Sequence, residues 1–151
     1  MSAEENLKKL NINLPKAPDP VGAYVASKIV GNLVFISGQL PLDSQGKLIK
    51  GKVGEELNLE QGQEAAKLCA LNLLAQLKKI CASLDKVKGC VKITGYVNSI
   101  DSFTDQPKII NGASNLISKI FGDKGKHTRA AVSVNSLPLD AAVEIEGIFE
   151  I

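Results

Sequence analysis

The segment GKHTRAAVSVNSLPLDAAVEIEGIFEI, Gly125–Ile151, decides how the chain folds. Two alternating apolar runs, Ala130–Val134 and Ala141–Ile145, flank the turn-rich NSLPLD. A period of two marks strands, so the segment reads as the arms of a closing hairpin around Leu137-Pro138. Parity then assigns Ala130, Val132, Val134, Val143 and Ile145 to a helix-covered face. It assigns Arg129, Ala131, Ser133, Glu144 and Glu146 to the opposite face. Antiparallel arms would bring Arg129 near one or both glutamates, in a register that the long turn leaves open.

Upstream, CVKITGYVNSI alternates as a strand with Val91, Ile93 and Val97 on one side. QPKIINGASNLISKIFG has the period of a helix: Ile110, Ala113, Ile117 and Phe121 share a face, and Gly122 can end it. A second helical stripe, Ala66, Cys69, Leu73, Leu77, Ile80 and Leu84, follows Asn58, which with Gln61 forms a capping-box pattern. AYVASKIVGNLVFISGQ reads as two strands turning at Gly31-Asn32, and LPLDSQGKLIKGKVGEELN as turns with a short strand piece. NLKKLNINL reads as a short helix and PKAPDP as a rigid connector.

The order β-β-α-β-α-β-β predicts an α+β fold, a two-layer sandwich with two helices on one face of a mixed sheet of about four to six strands. The chain is expected to be a single domain, 1–151, with 1–20 as an N-terminal extension. No helix remains for the second sheet face. There Phe35 and Ser37 share parity among small residues and a few charges. A wet face carries more Lys and Glu, so this one suggests burial between subunits with a polar cleft. A plain cross-strand ion pair on a solvated sheet is the other reading.

Composition narrows the function. The net charge of +2, aromatic content of 4% and absence of Trp give no basis for nucleic-acid stacking or an anionic membrane. No apolar stretch approaches the roughly 20 residues of a membrane span, and the polar, acidic start does not read as a secretory signal. A soluble cytoplasmic protein is expected. Cys69, Cys81 and Cys90 are odd in number, lack CxxC spacing and have a single histidine, His127, to join them. They read as structural thiols of a reducing compartment. His127, in GDKGKHT, reads as a solvated loop histidine rather than an acid/base.

Four motifs, PVGAYV, FISGQLPLD, GYVNSIDSF and above all TRAAVSVNSLPLDAAVEIEGIFEI, resemble the Rid/YjgF family of reactive-intermediate deaminases, also described as the L-PSP endoribonuclease family. The resemblance runs from about Ala17 to Ile151, and DSFTDQPKIINGAS with HTRAAVSV resembles a longer subgroup. It implies a chorismate-mutase-like fold, a homotrimer whose sheets form a central barrel, and a cleft at each subunit boundary. It also implies that Arg129 binds a substrate carboxylate, where a planar guanidinium meets both oxygens at once and lysine could not. Tyr24, Ser37, Gly38 and Asn111 match pocket positions, and Glu144 matches a glutamate that orients or activates water. Ala131 stands where many active members have cysteine, at a contact that backbone can supply.

The activity implied is hydrolysis of enamines and imines of the 2-aminoacrylate type to 2-oxo acids and ammonia, without metal or organic cofactor. Binding of a small carboxylate without turnover is the alternative from a different class. Ribonuclease, the family's other label, requires a basic, aromatic-lined surface that the composition does not supply.

Overall fold

The computed structural model describes residues 1–151. Helix α1 (Ala3–Lys9) starts earlier than the sequence suggests, because Ser2 and Glu5 form a capping box. Its Ala3 and Leu7 join the buried core, and the Asn6 side chain donates to the Ile120 carbonyl at 2.8 Å. The connector beyond it leads to β1 (Ser27–Val30) and β2 (Leu33–Gln39). They pair antiparallel through a two-residue turn in which Gly31 takes φ 62°, the left-handed geometry expected of Gly-Asn hairpins.

Asn58 and Gln61 exchange hydrogen bonds of 2.9 Å, which satisfies two donors at the start of α2 (Leu59–Cys81). Its stripe of Ala66, Cys69, Leu73 and Leu77 is buried, and the helix stops at Ala82 with φ 66°. Helix α3 (Gln106–Phe121) buries Ile110, Ala113, Ile117 and Phe121 and ends at Gly122 with φ 60°. The two helices cross closely: a Cβ on Gly112 would strike the backbone carbonyl of Gln63. Both cover the same face of the sheet and enclose one cluster of 29 buried residues.

The five-stranded sheet has the order β1-β2-β5-β3-β4, where β3 is Gly89–Asn98, β4 is Thr128–Val134 and β5 is Val143–Glu150. Here the sequence expectation needs correction. The two C-terminal strands are not hairpin partners, because β3 lies between them, parallel to β4 and antiparallel to β5. The cause is α3. Its apolar stripe must lie on the sheet, and a strand–helix–strand crossover that packs back on the sheet places β4 beside β3 in parallel. Strand alternation records that a residue faces in or out but not which strand is its neighbour.

Parity in β4 also reverses. Arg129 and Ala131 lie opposite Ile93 and Gly95, on the helix side, whereas Val132 is 45% exposed on the bare face. In β3 the register shifts between Cys90 and Lys92, so Val91 leaves the stripe while Ile93 and Val97 stay buried. An extra residue in one strand of a pair inverts the pattern behind it. In β2 and β5 the expectation holds: Val34, Ile36, Val143 and Ile145 are buried, and Phe35 and Glu146 are exposed. No helix is long and apolar enough to cross a membrane.

Candidate functional site

The predicted site residues fall into two groups on one chain. The first is built on β4 and α3. Asn111 and Ser114, three residues apart on α3, share a helix face. Arg129 Nη1 donates to Asn111 Oδ1 at 2.7 Å and to Ser114 Oγ at 3.2 Å. Those bonds use both Nη1 hydrogens. The Nε and Nη2 edge makes no hydrogen bond within the chain, and Arg129 is in none of its three ion pairs. That edge is the one that meets a carboxylate with two parallel bonds. Ala131, two residues on, packs against the core.

His127 belongs to this group, contrary to its reading as a solvated loop residue. It is half-buried, its Nδ1 lies 2.6 Å from the Gly125 carbonyl and its Nε2 lies 2.9 Å from Ser114 Oγ. Ser114 is a site neighbour that sequence reasoning missed. Its spacing from Asn111 was the available signal.

The second group is built on β2, β5 and the segment before β1. Tyr24, Gly38 and Glu144 line a cleft of about 510 Å³ with Pro18, Gln39 and Leu139. Gly38 leaves room for Glu144 there, since a Cβ would overlap its carboxylate where it now lies. Burial first, and then the neighbouring Glu146 carboxylate, push the Glu144 carboxyl above its usual range. The Tyr24 hydroxyl accepts from the Val21 N–H at 3.3 Å. Ser37 donates to the Val25 carbonyl at 2.7 Å and lines a neighbouring hollow of about 380 Å³ with Phe35 and Glu146. Above it Tyr96 donates to Glu146 Oε1 at 3.3 Å, and burial and then Glu146 raise its phenol.

Arg129 does not pair with Glu144 or Glu146 as the hairpin reading expected. Glu144 lies opposite Tyr96, which lies opposite Val132, while Arg129 is opposite Ile93. Two strand spacings across and three residues along separate the Arg129 and Glu144 Cα atoms by about 14 Å. Their side chains leave opposite faces of the sheet. One chain therefore holds a cation with an open fork and a cleft with a carboxyl raised above its usual range, but not together.

The family model described as "YjgF/chorismate mutase-like, putative endoribonuclease" matches residues 4–149. The chain belongs to this family. It is 42% identical over 147 residues to Protein TCP17 of Trypanosoma cruzi, a match covering 97% of this chain and 92% of that protein. It is 33% identical over 138 residues to 2-iminobutanoate/2-iminopropanoate deaminase of Rattus norvegicus, covering 91% and 86% of the two chains. The structure of a "putative endoribonuclease" from Shewanella oneidensis superposes with a TM-score of 0.96 at 32% identity, covering 100% of both chains. E. coli TdcF with bound serine superposes with a TM-score of 0.67 at 26% identity, covering 90% and 94%. The chorismate-mutase-like fold is thereby established.

Proposed function

We propose that this YjgF-family protein hydrolyses 2-imino acids to 2-oxo acids and ammonia in clefts formed between copies of a homotrimer. The observation that carries the proposal is the division of the site. The Nε–Nη2 edge of Arg129 lacks a partner in its own chain, while the cleft of Tyr24, Gly38 and Glu144 lacks a cation. Docking β4 and α3 of one copy against the β2–β5 cleft of the next joins them. The bare sheet face, with Phe35 at 42% and Val132 at 45% exposure, supplies apolar surface for that contact.

In the joined site Arg129 holds the substrate carboxylate through two N–H donors, next to the imine carbon. An enamine gains a proton at its β-carbon and becomes the imine. Water then adds to the carbon of the C=N bond, and the nitrogen takes a proton. Collapse of the carbinolamine forms C=O as its hydroxyl loses a proton and the protonated nitrogen leaves as ammonia, so the sum is imino acid plus water to oxo acid plus ammonia. Glu144, its carboxyl raised by burial and by Glu146, exchanges the protons that water loses and nitrogen gains. Orientation of the anion and the water supplies most of the acceleration.

The test is 2-oxo acid formation from enamines generated in situ, with oligomeric state followed by light scattering. Wild-type protein is expected to accelerate formation, and Arg129→Ala to abolish it with the assembly intact. A monomeric wild type, or an Arg129→Ala variant as fast as wild type, overturns the proposal. Serine bound to the related TdcF favours a second reading, in which the same cleft holds a small carboxylate without turnover. Saturable 2-oxobutyrate binding without product formation would select it.

A further inference from the structure

We infer that Ser114 and His127 form a positioning relay that fixes the rotamer of Arg129 and so presents its free edge to an anion. The inference rests on the proposed role of Arg129, and it adds two residues that act through the arginine rather than on substrate.

The relay has a direction set by chemistry. The Gly125 carbonyl can only accept, so His127 Nδ1 carries the proton of their 2.6 Å bond. In the neutral ring Nε2 is then an acceptor, and it takes the Ser114 hydroxyl proton across 2.9 Å. With that proton committed, the lone pairs of Ser114 Oγ are left to receive Arg129 Nη1 at 3.2 Å. The order of donation is Arg129 to Ser114 to His127, and from the far side of His127 to Gly125. In the neutral ring no member can reverse its bond, since the Gly125 carbonyl and the Arg129 guanidinium each have only one role to play.

The far end of the chain is rigid. Gly125 is buried, and a Cβ on it would strike the last backbone turn of α3 near Ile117 and Ser118. The imidazole is thus pinned to the same helix that bears Ser114 and Asn111. Asn111 alone gives the guanidinium one bond, about which it can turn; Ser114 gives the second, which holds its plane. A guanidinium fixed at Nη1 by two bonds has its Nε–Nη2 edge preset for a carboxylate, and ordering it beforehand removes a cost from binding.

Four proteins test this: wild type, Ser114→Ala, His127→Leu, and His127→Gln, whose amide oxygen can still accept from Ser114. Side-chain ¹⁵N spectra of Arg129 report rotation of the guanidinium, which should be slow in wild type and H127Q and fast in S114A and H127L. Titration with 2-oxobutyrate should give a Kd raised about tenfold in S114A and H127L and restored towards wild type in H127Q. In turnover the same pair should raise KM about tenfold with kcat within about twofold, because orientation of the anion is lost before the chemistry begins. Equal guanidinium rotation in all four proteins overturns the relay, and so does a Leu variant that behaves like the Gln variant. Restricted rotation in a wild type that binds no carboxylate leaves the relay standing and overturns the proposed function instead.

Discussion

Replacing Gly38 by alanine separates the site from the fold. The backbone at Gly38 is not in the left-handed region, so alanine fits its conformation. The single obstacle is the Glu144 side chain, whose carboxylate occupies the space of the new Cβ. Two stability effects then oppose each other. Alanine restricts the unfolded chain, a gain of about 0.4–1 kcal/mol, while overpacking costs about 1–3 kcal/mol when the neighbour cannot move. Here the neighbour is the end of a flexible side chain on a cleft wall, so the cost lies at the low end and the sum near zero. At about 2–4 °C per kcal/mol for a chain of this size, the melting temperature should change by a few degrees at most. Activity should not be spared. Moving Glu144 aside by about 1 Å is the scale of displacement that costs about a hundredfold in rate. Thermal unfolding and 2-oxo acid formation on the same samples give both numbers. In a Glu144→Ala background the obstacle is gone, and G38A should cost no further activity. A fully active G38A, or equal losses from G38A in both backgrounds, would refute this account of why glycine stands there.

Arg129→Lys keeps the charge and loses the fork; 2-oxobutyrate affinity should fall at least tenfold by calorimetry, with light scattering unchanged. Glu4 ties α1 to the body by accepting from Lys78 at 2.8 Å and from the Leu84 N–H at 3.0 Å. Burial opposes its charge, but these two bonds and the ammonium field outweigh it and lower its carboxyl below 4.5. A lowered folded-state value adds stability above pH 4.5 that is lost as pH falls through the folded value. Glu4→Gln should therefore be less stable than wild type at pH 7, by about 1 kcal/mol or less at this partly exposed site, and equal to it near pH 2 in urea titrations. Cys69, Cys81 and Cys90 are all free and buried, and burial lifts the Cys90 thiol to about 12. Aromatic disulfide reagents should label none of them at pH 8 until the chain is unfolded.

Much of the fold was legible because helical and strand periods are local properties. Asn58 with Gln61, the Ala66–Leu77 stripe and the Gly31-Asn32 turn each declare themselves within a few residues. What was not legible is non-local. Val134 and Val143 are separated by a connection in which Leu139 and Asp140 both take left-handed φ, near 59° and 58°. From sequence that connection looks like a wide hairpin turn, and in space it carries the chain past β3 to its far side. The Val91 irregularity is likewise invisible, since the unpaired residue is apolar like its neighbours. The resemblance singled out Arg129 and Glu144, but parity put both on one face, and the strand pairing places them on opposite faces. Arg129 reveals its side only through α3, where Asn111 and Ser114 wait for it.

The misplaced hairpin has a functional meaning. Had β4 and β5 been partners, Arg129 would have faced Glu144 or Glu146 across one strand spacing of about 4.8 Å, and the guanidinium would be spent on an internal ion pair. Insertion of β3 keeps the cation and the carboxylates apart within the chain. It leaves the arginine held by neutral partners, an amide and a hydroxyl, neither of which would compete for charge with the carboxylate of the proposed substrate. It also leaves Glu144 without a counter-ion, which is why burial and Glu146 can raise its carboxyl. Both halves of the proposed site owe their character to the separation, and the crossover by α3 that creates it is the same feature that places β4 at the sheet edge, where the proposed assembly needs it.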